Sequence, residues 1–294
     1  MKTITILSGK GGVGKSSISA SLAVLLAKKN KIIAVDCDVD APNLALVLGL
    51  KKYEKKETIQ TSEKAKLIPS KCIGCKKCMD TCIFGAITWD KKKNKPIFDK
   101  YLCEGCGACE LVCPANAIKL DKVKNAVIGF GKTKYKFPIF SGQLKMGESG
   151  SGKVVTAVKA KAENLAKTKK FDYILSDSSP GIGCPVIASI QGSDFIVAIT
   201  EPNPATLNDL KRVLQVVEHF RVPYGIIINR WDINKEFSEK IVQFARKNNM
   251  PLLGKIPYDK AFVDALVNLT PIVTVNKKYE QLFSKILDNI LKYL

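Results

Sequence analysis

The sequence predicts a doubly wound α/β fold, a mostly parallel sheet with helices on both faces, interrupted by a smaller inserted α+β unit. Three observations carry that prediction. Strand-like apolar runs alternate with helix-like stretches toward both ends of the chain. The first of these runs leads through a glycine-rich loop into a helix-like stretch. In between, the alternation breaks, and a cysteine-bearing segment occurs twice.

Taken in order, "TITIL" reads as the first strand, Ser16 to Lys29 as the first helix, and "KIIAVD" as the second strand. After the break come "FDYILSD", "DFIVAIT", "YGIIIN" and "LLGKIP", separated by amphipathic stretches. The final "YEQLFSKILDNILKYL" places Tyr279, Leu282, Phe283, Ile286, Leu287, Ile290, Leu291 and Leu294 on one helical face, and its other face is not strongly basic. That pattern favours core packing over attachment to a membrane surface. With 294 residues and 46% hydrophobic content the chain can bury a sizeable core.

No apolar run approaches the ~20 residues of a membrane span, and the opening "MKTITILSGK" reads as strand and glycine loop, not as a signal peptide. A cytoplasmic location is therefore expected. In that compartment thiols stay reduced, so clustered cysteines point to metal before disulfides. The net charge of +20 would suit nucleic acid, an acidic protein or an anionic lipid surface. Its lysines are nevertheless spread along the chain, with Lys51, Lys52 and Lys91 to Lys93 among them, as on an ordinary solvated surface. Nucleic acid and membrane are not the expected partners.

Eight of the ten cysteines fall between Cys72 and Cys113. The segment from Cys72, "CIGCKKCMDTCIFGAITWDKKKN", aligns with "CEGCGACELVCPANAIKLDKVKN" from Cys103 at an offset of 31, cysteine on cysteine. Lysine-rich flanks look like tethers, which predicts three segments: residues 1–58, an inserted unit at 59–125, and 126–294. Cysteines at i, i+3 and i+6 wrap one face of an iron-sulfur cube, and the more distant fourth reaches the other cluster of a pair. Cys72, Cys75, Cys78 and Cys113 would hold one 4Fe-4S cluster; Cys103, Cys106, Cys109 and Cys82 would hold the second. Structural zinc would leave thiols of these tight triplets without a role. The stretch resembles the two-cluster bacterial ferredoxins, down to Pro114 after the last cysteine; Ile83 stands where the first copy would carry that proline.

The segment "SGKGGVGKSS" supplies Gly11, Gly12, Val13 and Gly14 for close backbone approach to phosphates, Lys15 for their charge, Ser16 for magnesium, and Ser17 beside it. The helix N-terminus adds its positive dipole end. Lys10 is surplus to such a loop. "KGGVGK" resembles the deviant phosphate loop of the MinD, ParA and nitrogenase iron protein superfamily, a group of P-loop ATPases. Taken whole, the chain resembles MinD-superfamily ATPases with an inserted ferredoxin domain from Lys2 to about Pro271, and the nearest functional relatives this indicates are the nitrogenase iron protein and the ATPases that build or insert metal clusters.

That resemblance implies ATP and Mg2+ as ligands, ATP hydrolysis, and a closed dimer in which Lys10 reaches the nucleotide of the other subunit. It also implies roles for two switch segments. In "VDCDVDAPN", Asp38 would position the attacking water and the magnesium shell, with Asp36 beside it; in "LSDSSPGIG", Asp177 would be the magnesium-side carboxylate, acting through water, and Gly181 would free the loop. Asn229 of "IIINRWD" would read the base, and Pro257 of "GKIPYDKAF" would line it. Cys184 lies seven residues after Asp177, the spacing of a ligand for a cluster bridging the dimer in the nitrogenase iron protein. It has two readings, an interface metal ligand or a small buried thiol.

"GESGSGKV" at 147–154 mimics a second phosphate loop. Val154 stands where a hydroxyl is required, and no clean strand is expected before it.

The implied function is an iron-sulfur ATPase whose ATP-dependent dimer closure is coupled to its clusters, for electron delivery or metallocluster assembly in a client protein. The partner subunit would be an identical chain or a paralogue. The alternative is a ParA-like positioning ATPase that binds nucleic acid non-specifically, its clusters structural or redox-sensing.

Overall fold

Strand β1 (Lys2–Ser8) is buried along almost its whole length and leads through the glycine loop into α1 (Lys15–Leu26). The computed structural model describes residues 1–294. The chain continues through β2 (Ile32–Cys37), the short α2 (Leu44–Val47) and β3 (Lys55–Ile59). A second segment carries β4 (Ser62–Leu67), α3 (Lys77–Thr81), β5 (Ile87–Asp90), β6 (Lys95–Phe98), α4 (Ala108–Leu111) and β7 (Ile118–Val123). The remainder runs through β8 (Ala126–Lys132), β9 (Pro138–Leu144), α5 (Ser151–Lys169), β10 (Tyr173–Ser178), α6 (Cys184–Ile190), β11 (Phe195–Thr200) and α7 (Pro204–His219). It ends with β12 (Tyr224–Asn229), α8 (Lys235–Lys247), β13 (Leu252–Ile256), α9 (Ala261–Val267) and α10 (Lys277–Leu291).

The chain divides into two compact units, 1–57 with 128–143 and 151–294, and 58–127 with 144–150. In the first unit a nine-stranded sheet has the order β13-β12-β11-β1-β10-β2-β9-β8-β3. From β13 to β9 all neighbours are parallel. The order reverses direction at β1, and the crevice beyond the carboxyl ends of strands at such a point is where ligands bind in open sheets.

Side chains alternate along β1. Ile4 and Ile6 join one core with Leu22, Tyr279 and Phe283, and Leu7 joins the other with Val186, Ile190 and Val213. Helix α10 buries Tyr279, Phe283, Ile286, Leu287 and Ile290, so the C-terminal apolar face is core. No helix is long and apolar enough to cross a membrane. Helices α7, α8 and α10 each start at an asparagine, Asn203, Asn234 and Asn276, whose side chain accepts a backbone N–H of the first turn.

The second unit is built twice. Strands β4 and β7 pair antiparallel, as do β5 and β6. The offset of 31 carries β6 onto the end of β4, α3 onto α4 and β5 onto β7, so each two-stranded sheet takes one strand from each repeat. Backbone conformations repeat too. Gly74 and Gly105 have φ of +75° and +66°, Lys76 and Gly107 +61° and +80°, and Gly85 and Asn116 +62° and +48°. Left-handed backbone at Lys76 and Asn116 is uncommon for side-chain-bearing residues, and these positions flank the cysteine loops. The small core is equally symmetric: Cys78 with Ile87, and Cys109 with Ile118.

Three expectations change here. The lysine-rich flanks are not loose tethers; they form β3, β4, β7 and β8. The 144–150 segment, read from sequence as part of the later portion, belongs to the second unit. Lys64 pairs with Glu148 at 3.1 Å, Asn125 accepts from the Lys145 N–H and donates to the Ser149 carbonyl, and Gly147 lies against the Tyr101 ring so closely that a Cβ would meet it at 2.4 Å. The phosphate-loop mimic is also preceded by a strand after all, β9. Its failure as a loop rests on Val154, which is fully buried in α5 where a magnesium hydroxyl would have to face the ligand.

Candidate functional site

A cavity of about 530 Å³ opens at the carboxyl end of β1. Gly11, Gly12, Gly14, Lys15, Ser16 and Ser17 line it, together with Asp38, Asn229 and Pro257. Gly12 and Gly14 turn the loop with φ of +83° and +84°, conformations that leave backbone N–H groups free to face an anion. A Cβ on Gly14 would stand 2.6 Å from Asn229 Nδ2. Val13 is buried beneath the loop, and its carbonyl accepts from Asn229 Nδ2 at 2.8 Å. Asn229 therefore has a job the sequence did not reveal, bracing the phosphate loop from below.

Lys10 is exposed and does not line this cavity; its carbonyl is held by Ser8 Oγ at 2.9 Å. Near it, Glu201 pairs with Arg230 at 2.8 Å. Burial raises the Glu201 carboxyl above the usual range, against the pull of Arg230 and Lys10.

Lys15 and Asp177 form a buried ion pair at 2.8 Å, with Lys15 7% exposed and Asp177 0%. Burial works against the Lys15 ammonium, but Asp177, together with Asp38 and Asp36, outweighs it and holds the lysine pKa above its ordinary value. Asp177 accepts two further hydrogen bonds, from Ser16 Oγ to Oδ2 and from Ser19 Oγ to Oδ1, both 2.7 Å. The carboxylate thus sits where Lys15 and Ser16, the two side chains that a phosphate and its cation would claim, already point.

The other acidic segment is arranged around Asp36 and Asp38. Asp36 is fully buried, and its carboxylate accepts the N–H groups of Asp38 and Leu44 at 3.2 and 3.0 Å, fixing the turn into α2. Its pKa is pushed well up by burial. Asp38 stands partly exposed at the cavity, its pKa raised by burial against the opposing pull of Lys15. Between them Cys37 is buried, its thiol pushed up to about 12 by desolvation, which leaves it a packing residue. The Cys37 carbonyl accepts from Ser179 Oγ at 3.1 Å, a direct link between the two acidic segments. Gly181, at φ +97°, donates its N–H to the Ser8 carbonyl at the end of β1.

In the second unit the eight cysteines divide between two small cavities. One is lined by Cys72, Cys75, Cys78 and Cys113, the other by Cys103, Cys106, Cys109 and Cys82, so each gathers three sulfurs from one repeat and one from the other. Backbone N–H groups of Ala65 and Ala117 point at Cys103 Sγ and Cys113 Sγ, at 3.4 and 3.3 Å. No three cysteine, histidine or acidic side chains in the chain converge closely enough to hold a single metal ion. A cubane spreads its ligands over four irons, so the relevant observation for it is which sulfurs face one cavity.

A family model described as the CobQ/CobB/MinD/ParA nucleotide binding domain matches residues 4–272. The chain belongs to this family. Among its relatives, the uncharacterized protein MJ0578 of Methanocaldococcus jannaschii is 37% identical over 291 residues, 99% of this chain and 97% of the relative. The iron-sulfur cluster carrier protein of the same organism is 24% identical over 303 residues, 98% of this chain and 83% of the relative. In fold, the crystal structure of the cell division ATPase MinD from Pyrococcus furiosus matches with a TM-score of 0.61 at 20% identity, covering 100% of this chain and 99% of that one.

Within this MinD/ParA-type domain, Cys184 is the first residue of α6 and is exposed, which removes the buried-thiol reading. Its Cβ lies close to Gly152 of α5, where a side chain would meet it at 3.0 Å. Sequence reasoning missed Ser19, Ser179 and Arg230. A signal existed for Ser19 alone: it lies four residues after Lys15 and three after Ser16, on the same helical face.

Proposed function

We propose that this chain is an ATPase in which nucleotide-driven closure of two subunits is coupled to two 4Fe-4S clusters, for electron delivery to a client protein or for metallocluster assembly in it. The observation that carries this reading is the crossed grouping of sulfurs, three from one repeat and one from the other around each of two cavities. Paired repeats bind two cubanes in this manner. The N–H groups aimed at Cys103 and Cys113 suit thiolates, whose charge they stabilise. Membership of the MinD/ParA family and similarity to an iron-sulfur cluster carrier protein support the two halves of the reading separately.

In this account Cys72, Cys75, Cys78 and Cys113 hold one cluster and Cys103, Cys106, Cys109 and Cys82 the other, supplying one-electron chemistry when bound. The donor set at the nucleotide cavity fits magnesium: a serine hydroxyl on a buried carboxylate, with a second carboxylate at the rim. Backbone N–H groups of the Gly11–Gly14 turn bind phosphate oxygens, Lys15 leaves Asp177 to neutralise them, and Asp38 orients the attacking water. Lys10, free of its own cavity, serves the nucleotide of the partner subunit, so that binding and pairing become linked equilibria. In the chain, the insertion starts after Asp38 and returns before Asp177, between the two acidic segments.

The test is anaerobic reconstitution followed by iron analysis, EPR of the reduced protein and mass measurement with and without MgATP. About eight irons per chain, a reduced spectrum that changes with MgATP, and a nucleotide-dependent dimer are expected. Absence of iron, or a spectrum and mass indifferent to nucleotide, defeats the proposal.

A further inference from the structure

Asp177 has three side-chain donors, and two of them are needed elsewhere once nucleotide enters. Lys15 Nζ and Ser19 Oγ share Oδ1 at 2.8 and 2.7 Å, while Ser16 Oγ alone occupies Oδ2 at 2.7 Å. In the reading above, which this inference rests on, Lys15 turns to the phosphates and Ser16 to magnesium. We propose that Ser19 is the positioning residue that holds Asp177 in place through that exchange, keeping Oδ1 anchored so that Oδ2 stays directed at the magnesium shell.

The behaviour of other hydroxyls in the chain makes Ser19 stand out. Within helices, Ser21 donates to the Ser17 carbonyl, Thr156 to Gly152, Thr168 to Asn164 and Ser284 to Glu280, the ordinary back-bond to residue i−4. Ser19 forgoes that bond and reaches across to a carboxylate 158 residues away in sequence. It is fully buried, so no water competes for its hydroxyl. A hydroxyl bond to an ionised acceptor is stronger than the back-bond it replaces. Its placement one turn after Lys15 and Ser16 puts all three donors on one face of α1, yet Ser19 lies farther along the helix from the glycine loop that would hold the phosphates. It can therefore remain with Asp177 when the other two depart.

The test measures affinity, not turnover. N-methylanthraniloyl-ADP is titrated into wild type, Ser19→Ala, Ser19→Thr and Ser19→Cys, each in excess magnesium and in EDTA, with thermal melting to verify folding. Ser19→Ala should weaken binding about tenfold in magnesium and less than about twofold in EDTA. Ser19→Thr, which retains the hydroxyl, should stay within about threefold of wild type in both. Ser19→Cys, a weaker donor of similar size, should fall between them and keeps the comparison available if the alanine variant does not fold. An equal loss with and without magnesium, or no loss in either, overturns the assignment and leaves Ser19 as packing. Failure of the wild type to bind the probe removes the nucleotide reading and this assignment together, and is recognised before any variant is compared.

Discussion

The nucleotide cradle and the cysteine cradles are prepared for their ligands in opposite ways. Around Asp177 the carboxylate itself takes the donors that phosphate and magnesium would otherwise use. The cysteine unit has no such internal stand-in. The buried members of its apolar cluster are Cys78, Ile87, Cys109 and Ile118, and half of those are themselves candidate ligands. A site with an internal substitute can fold empty and exchange its ligand repeatedly. A unit of this size whose core is made of ligands needs the ligand to fold well. On the proposed reading, one region suits turnover and the other retention.

The largest effect that would break this contrast is the response to iron removal. Chelation under reducing conditions should render residues 58–127 sensitive to protease while the parallel sheet survives, as read by fragment masses. On the proposed reading, Cys109→Ser should halve the iron from about eight to about four per chain, since Cys109 lines only one of the two cysteine cavities. Simultaneous loss of both units, or resistance of both, would erase the distinction.

Next in size is Lys15→Ala. The variant should lose about 100-fold or more in nucleotide affinity, and it leaves a fully buried carboxylate without its cation, at a cost of about 3 kcal/mol in stability. Denaturant melts with and without nucleotide separate the two losses. A variant as stable as wild type would mean that Asp177 has no need of the stand-in pairing.

Smaller again is Lys159→Met. Lys159 is buried in α5, and its ammonium donates to the carbonyls of Ala188 and Ser189 at 3.2 and 2.7 Å and to that of Gln191, all at the end of α6. Burial lowers its pKa, and the cage of carbonyls takes the place of a counter-ion. Three freed carbonyls should cost about 2 kcal/mol, seen as a lower denaturant midpoint with unchanged slope.

Much of this was legible in the sequence, unevenly. The six strands and the glycine turn follow from local pattern, and the structure holds them; the cysteine sulfurs line two cavities in the crossed grouping that their spacing suggests. Hidden from sequence were the side-chain bonds between distant positions. Asn229 bracing Val13, Ser19 reaching Asp177 and Ser179 reaching Cys37 each span more than a hundred residues; helical spacing places Ser19 on the face of Lys15 and Ser16, but no local pattern names any of the three partners. The flank at β3 was misjudged because lysines lead it; it pairs at the sheet edge with its side chains in solvent, where composition says little about backbone.

The smallest predicted effect concerns that last bond, between the two acidic segments. Ser179 Oγ donates to the carbonyl of Cys37, whose neighbours on either side are Asp36 and Asp38. Both residues are buried, so the bond is shielded from water and Ser179→Ala should weaken the junction by about 1 kcal/mol. The thiol of Cys37 offers a local gauge, being enclosed and therefore alkylated only when this segment opens. Opening should become about fivefold more frequent in the variant, measured as the alkylation rate of Cys37 by mass spectrometry. If the hydroxyl couples the two acidic segments, nucleotide should suppress that rate in wild type more than in Ser179→Ala. Equal suppression in the two proteins would assign the coupling to the backbone pairing of β2 with β10, where Cys37 faces Ser178, and would reduce Ser179 to a packing residue.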